Sequence, residues 1–212
     1  MLSLRKVVVG LGVALIFGAG SASAITLGFD CVTNNLAGDC AIGEAQLTVD
    51  VTDPGPGGVV FTFHNAGPSA SSITDIYFDD GDMGSLLRIS IIVDSPPAVD
   101  FEVLARPRDL PGGNNASPPF QTTDDFSADS ESPVQPKGVN PGESVVIIFL
   151  LKSGKTFADV LAGLEDQSLR IGIHVQGFAT GGSESLVSTP EPAAFGLLAI
   201  GIVALGVRLR VR

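Results

Sequence analysis

The chain has few residues whose types and spacing suit chemistry. Cys31 and Cys40 are its two cysteines. They bracket Asn34-Asn35-Leu36-Ala37-Gly38, a turn-like stretch. In an oxidising compartment such a pair reads as a disulfide, and a loop this short stabilises by up to about 3 kcal/mol in the chain-entropy view. The alternative is a redox or metal pair. Two thiols leave a four-ligand site half filled, and neither histidine is near them in sequence. Asp75, Asp79, Asp80 and Asp82 are the densest oxygen donors, with Gly81 able to make a tight turn among them. Calcium takes several carboxylate and carbonyl oxygens, so Asp79, Asp80 and Asp82 are candidate ligands. The run lacks the distal Glu of an EF-hand loop, and solvated loop carboxylates are the competing reading. Asp124, Asp125, Asp129 and Glu131 repeat the idea more thinly. His64 and His174 each fall on the polar side of a predicted strand. A histidine catalyst needs a nucleophile and an orienting carboxylate in reach. No G-x-S-x-G, H-E-x-x-H or Gly-rich phosphate loop accompanies them, so the expectation is a protein that is not an enzyme.

Short β-like runs must position these groups. Residues 46–52 alternate, with Leu47, Val49 and Val51 on one face and Thr48, Asp50 and Thr52 on the other. That period of two predicts a half-buried strand. Asp53-Pro54-Gly55-Pro56-Gly57-Gly58 ends it, and 59–64 repeats the pattern with Val59, Phe61 and Phe63 inward. Strands are also predicted at 73–78, at 86–93 with Leu87, Ile89, Ile91 and Val93 on the inner side, and at 99–104. Residues 106–140 are rich in Pro, Gly, Asn, Ser and Asp. They read as a long surface excursion with a short strand near Phe120. Residues 145–151 are apolar on both faces and predict a central strand. Residues 156–165 are the one predicted helix, with Thr156 as N-cap, Asp159 three residues on, and Phe157, Val160, Leu161 and Leu164 along one side. Residues 169–178 close the domain as a strand. Residues 180–189 read as a Gly/Ser tether. The expected fold is mainly β: an antiparallel β-sandwich, jelly-roll or immunoglobulin-like, with one short helix.

Composition narrows the partners. Between residues 25 and 189 there are 22 Asp or Glu against 7 Lys or Arg, a net charge of −15, while the whole chain carries −11. Such a surface repels nucleic acid and anionic lipid. Solubility alone explains it, although divalent cations and basic partners would also be attracted. A stretch of this length supports one core. One Tyr and no Trp count mildly against a sugar-stacking module.

The two ends carry addresses. Arg5 and Lys6 precede the apolar run 7–20, and Ala22-Ser23-Ala24 supplies a cleavage site, so 1–24 reads as a secretory signal peptide cut between Ala24 and Ile25. At the other end Thr189-Pro190-Glu191-Pro192 precedes the apolar run 193–207, followed by Arg208-Leu209-Arg210-Val211-Arg212. The run is about 22 Å of helix at 1.5 Å per residue. It is short for a hydrocarbon core of about 30 Å, and snorkelling arginines close part of the gap. It is therefore expected to be a transmembrane helix. Basic residues favour the cytoplasmic side, so Arg5, Lys6, Arg208, Arg210 and Arg212 stay inside and 25–189 faces out.

This Pro-Glu-Pro, apolar helix and terminal arginine cluster resembles the PEP-CTERM sorting signal of Gram-negative bacteria. Phe29-Asp30-Cys31-Val32-Thr33-Asn34-Asn35, Ser72-Ile73-Thr74-Asp75-Ile76-Tyr77-Phe78-Asp79-Asp80 and Arg170-Ile171-Gly172-Ile173-His174-Val175-Gln176 are similar to a recurring ectodomain of such proteins. The resemblance implies recognition of Pro190, Glu191 and Pro192 by an exosortase with a cysteine nucleophile. It also implies passage through the inner membrane and release to the cell surface or the extracellular matrix. Thr189 departs from the Val frequent in the family, and Leu209 and Val211 interrupt the basic block. The resemblance implies no chemistry for the exported part. A structural or interaction role is expected, with calcium or exopolysaccharide binding as the alternative.

Overall fold

The computed structural model describes residues 24–81, 84–93 and 98–189. The predicted signal peptide up to Ser23 and the whole sorting signal 190–212, with its transmembrane helix 193–207, lie outside the described residues. Among the described residues no helix is long and apolar enough to cross a membrane.

The elements run β1 (Ala24–Cys31), α1 (Ala37–Gln46), β2 (Leu47–Thr52), β3 (Gly58–Asn65), β4 (Ser72–Asp79) and β5 (Leu87–Val93). Then come β6 (Phe101–Val103), a 3-10 turn at Gly113–Asn115, β7 (Ser127–Ser130), α2 (Val134–Lys137), β8 (Ser144–Leu151), α3 (Phe157–Asp166), β9 (Arg170–Gln176) and β10 (Glu184–Thr189). The fold is mainly β, and every strand pair among the described residues is antiparallel. The strands form one sheet in the order β5-β8-β3-β2-β1-β10-β9-β4-β7-β6.

That sheet curls on β1. The first half of β1, Ala24 to Leu27, pairs with β2, and the second half, Gly28 to Cys31, pairs with β10. A strand shared in this way turns a corner and brings the two flanks face to face. Phe78 of β4 meets Phe61 of β3 at 5.0 Å between ring centroids and Phe149 of β8 at 4.7 Å, both edge-on. Sheet order puts β3 and β4 far apart, so these contacts cross the core. Leu27, Val49, Val51, Ile76, Ile147 and Ile173 fill the rest of it from alternate positions. A second, smaller cluster lies on the outer side of β4 and β10, where Leu110 and Phe120 of the excursion cover Tyr77 and Val187.

Several expectations are corrected. Three α-helices form among the described residues, not one. α1 escapes a sequence reading because Gly38 and Gly43 weaken it and Leu36, at its N-cap, offers no side-chain cap. The bonds it needs come from β10: the Glu184 carboxylate accepts Asn35 N–H at 3.0 Å, Leu36 N–H at 2.6 Å and the Thr33 hydroxyl at 2.5 Å. The predicted tether 180–189 is therefore largely β10, whose Glu184 and Ser185 are fully buried. Its apolar Leu186 and Val187 belong to the core clusters. No strand forms near Phe120, which is instead a buried plug. In β5 the register slips between Leu87 and Ile89. Leu87 is buried, while Ile91 and Val93 are exposed, so the expected common inner face does not form. α3 forms as expected, with Thr156 and Asp159 completing a reciprocal capping box.

Candidate functional site

The predicted calcium carboxylates are turned to internal duty. Asp79 is paired with Arg170, both largely buried, and it also accepts the Gln121 N–H at 3.1 Å. Arg170 in turn donates to the Pro118 and Pro119 carbonyls and lies 5.4 Å from the Phe120 ring centroid. This one side chain fastens the excursion to the sheet. Asp80 accepts from Ser85 Oγ and from the backbone N–H groups of Leu86 and Leu87, closing the turn into β5. Asp82 lies outside the described residues. The thinner acidic group also disperses: Asp124 forms an exposed ion pair with Arg108, whereas Asp129 turns toward Asp75.

Cys31 and Cys40 are joined, with S–S 2.06 Å, and tie β1 to α1. Glu184 approaches both sulfurs within 4.8 Å. The sulfurs are bonded to each other and the carboxylate serves α1, so this grouping supplies no thiolate to a metal. Ala24 opens β1 exposed and Ile25 is buried against β2, so a cut between them leaves the first buried residue at the new terminus. Pro190, Glu191, Pro192, Arg208, Arg210 and Arg212 lie outside the described residues.

The polar constellation that remains is a row across the outer face of β6, β7, β4, β9 and β10. Glu102 stands opposite Asp129, Asp129 opposite Asp75, Asp75 opposite His174, and His174 opposite Ser185. Direct partners in an antiparallel pair point to the same side, so these side chains share one face. Thr74 Oγ1 donates to Asp75 at 2.8 Å, and the Arg106 N–H donates to Asp129 at 3.2 Å. The Tyr77 hydroxyl donates to the Pro107 carbonyl at 3.0 Å.

Burial pushes the Asp75 carboxyl up to about 7, and the nearby Asp129 adds to it against the Thr74 bond. Burial also raises Asp129, opposed by the Arg106 N–H. Burial raises Tyr77 as well, reinforced by both carboxylates, and keeps it neutral. His174 is lowered by burial, with Glu184 pulling the other way. The Asp75–Asp129 pair can therefore hold one proton near neutrality.

His174 Nδ1 lies 3.0 Å from Ser185 Oγ, which gives a serine, a histidine and a carboxylate in register. The geometry stops short of a nucleophile, because Ser185 is fully buried. Next to the row, a cavity of about 400 Å³ is lined by Leu104, Arg106, Arg108, Thr122, Asp125 and Ser127. The pairing of Asp75 with Asp129 was hidden in the sequence. Their separation is long, and the bulge between Ile73 and Asp75 breaks the alternation that would place Asp75 on a face. Comparison with protein-family models, curated proteins and solved structures found no match.

Proposed function

We infer that this chain is an exported envelope or matrix protein of the structural or interaction type, not an enzyme, whose tail is a sorting signal processed by an exosortase at the inner membrane. The observation that carries the reading is where the fold closes. β10 pairs through Thr189, opposite Gly28, and the Pro190-Glu191-Pro192 motif begins at the next residue. A cut within the motif leaves every described strand intact. Proline lacks the N–H that a sheet ladder needs and favours an extended residue before it, so the motif's composition suits a protease substrate. The acidic residues of the sheet support the non-enzymatic side: Asp79, Asp80 and Glu184 serve the fold.

The sheet itself is best read as a β-sandwich of jelly-roll connectivity. β3 and β8 pair with β5 beside them, and β4 and β7 pair with β6 beside them. The chain alternates flanks on passing from β3 to β4, to β5 and to β6, and again from β7 to β8. Such alternation is the winding of a rolled hairpin and is foreign to an immunoglobulin-like order.

Exopolysaccharide binding is the second reading, favoured by the cavity beside Arg106 and Arg108. Arg106, Arg108 and the Thr122 hydroxyl line it together with Asp125, a mixed polar set that suits sugar hydroxyls, with Arg108 already paired to Asp124.

The sorting reading is tested in cells that contain an active exosortase, by fractionation and mass spectrometry of the C-terminus. Glu191→Ala is expected to leave the domain uncut and membrane-bound. Deletion of 193–212 is expected to release it as a soluble periplasmic form. Wild-type protein that keeps residues 193–212 in such cells overturns processing.

A further inference from the structure

Apart from Leu36 at the start of α1, the exposed large aliphatics of the described residues lie near the two ends of the sheet, with Val103 and Leu104 on the β6 side. On the β5 side they are Ile91, 56% exposed, Val93, 46%, and Leu150 of β8, 40%. Ile91 stands opposite Ile148, and Val93 opposite Val146, so they form a continuous apolar strip on the outer face. β5 itself pairs with β8 and with no other strand among the described residues.

The charge pattern says what can approach this strip. The chain has 23 Asp and Glu, yet β3, β5 and β8 contain none. Arg88 is the one Lys or Arg in those strands. Two copies of so acidic a chain repel each other over most of their surfaces, and this strip is where they do not. The other end of the sheet is different. β6 has three residues, carries the exposed Glu102, and is flanked by Asp100 and by Glu131, whose N–H bonds Asp100. Short length and charge are the usual protection of an edge strand; β5 is seven residues long and Arg88 is its single charge.

We propose that β5 is a self-association edge, where two copies join β5 to β5 in antiparallel register and continue the sheet across a two-fold axis. The pairing is self-complementary: centred on Ile91, it sets that residue beside its own copy and Val93 across from Ile89. An isologous contact of this kind closes at a dimer. The added strand supplies backbone bonds to the open edge, and the two aliphatic strips merge into one covered surface. The inference rests on the interaction reading above and names its partner as a second copy of this chain.

The test uses the full-length chain in the envelope of a Gram-negative host. Ile91→Cys, treated with a short bis-maleimide, is expected to give a covalent dimer and no larger species. Glu102→Cys on the β6 edge is expected to remain monomeric. Val93→Asp placed beside Ile91→Cys is expected to cut the dimer yield at least tenfold while the thermal melting point stays within a few degrees. A monomer from Ile91→Cys overturns the proposal, as does a ladder of higher multiples or a dimer yield that Val93→Asp leaves unchanged. Fractionation of the same samples reads location separately, so a mislocalised dimer would count against sorting and not against self-association.

Discussion

The two flanks of the curled sheet share a core but treat their outer faces in opposite ways. On the flank of β5, β8 and β3 the outer face of β5 and β8 is aliphatic and open to solvent, with Ile91, Val93 and Leu150 exposed, while β3 beside them turns out Val60, Thr62 and His64. On the flank of β9, β4 and β7 the outer face carries Asp75, Asp129, His174 and Tyr77, and the excursion from Leu104 to Phe126 folds over part of it. Apolar burial alone would predict the reverse cover. The excursion is held by polar bonds, chiefly those of Arg170 and Thr123, together with the small apolar cluster in which Leu110 and Phe120 cover Tyr77 and Val187. The uncovered aliphatic strip of β5 and β8 is the surface on which we propose self-association.

The contrast has meaning only if the flanks share one core. Phe78 tests this, because it comes from the polar flank and its ring touches Phe61, Phe63 and Phe149 of the aliphatic one. Phe78→Ala is expected to cost about 3–5 kcal/mol, as deletions of buried aromatics do. Chemical denaturation should show a single transition moved to lower denaturant. Two separated transitions would mean that the flanks unfold independently.

The next effect separates the flanks. Arg170→Met leaves the Asp79 carboxylate buried without its cation, and breaking a buried pair from one side costs about 3–5 kcal/mol. The lower end is expected here, because Asp79 keeps the N–H groups of Gln121 and Gly81. Adding Asp79→Asn should restore part of the loss. Hydrogen exchange should rise first at 120–123, while β3 and β8 stay protected.

These contrasts explain what was legible in the sequence. β2, β3 and β9 follow from alternation, α3 from the 156–165 pattern and β8 from its continuous apolar run, although that run predicts burial on both faces and Leu150 is exposed. β10 and α1 were missed together and for one reason. Glu184, in a Gly/Ser-rich stretch, completes the helix start at Asn35 and Leu36, and no local pattern shows a carboxylate acting over that separation. The same limit hid the Asp75–Asp129 pair. The disulfide was legible because two cysteines allow one pairing.

That disulfide provides a smaller test on the seam at β1. Cys31→Ser with Cys40→Ser removes a short closed loop and is expected to cost up to about 3 kcal/mol. The loss should be seen as a lower melting point, with β1 still paired to β2. Mass spectrometry of the unreduced protein that finds two free thiols would show that β1 and α1 are not tied covalently.

The smallest effect belongs to the polar flank alone and depends on pH. Asp75 titrates near 7 in the folded chain, against 3.8 as the ordinary value. Between those values the folded state keeps a proton that the unfolded state has lost. Stability from this group is therefore full below about 4, declines as pH rises toward 7, and is flat above it. Asp129 is raised by burial as well and steepens the decline. His174, lowered by burial, has the opposite slope below its usual value of 6.5, because there the unfolded chain binds the extra proton. Comparing Asp75→Asn with wild type removes most of that background, since His174 is present in both. The amide stands in for the protonated carboxyl: its oxygen still accepts from Thr74, and its N–H can donate to Asp129. Asp75→Asn is expected to be near neutral at pH 4 and to stabilise by about 1–3 kcal/mol at pH 8, since each tenfold change in proton affinity corresponds to about 1.4 kcal/mol. Melting points across that range provide the check. A variant that is uniformly destabilised instead would show that Asp75 is ionised in the folded chain and that the polar flank is held by charge, not by a shared proton.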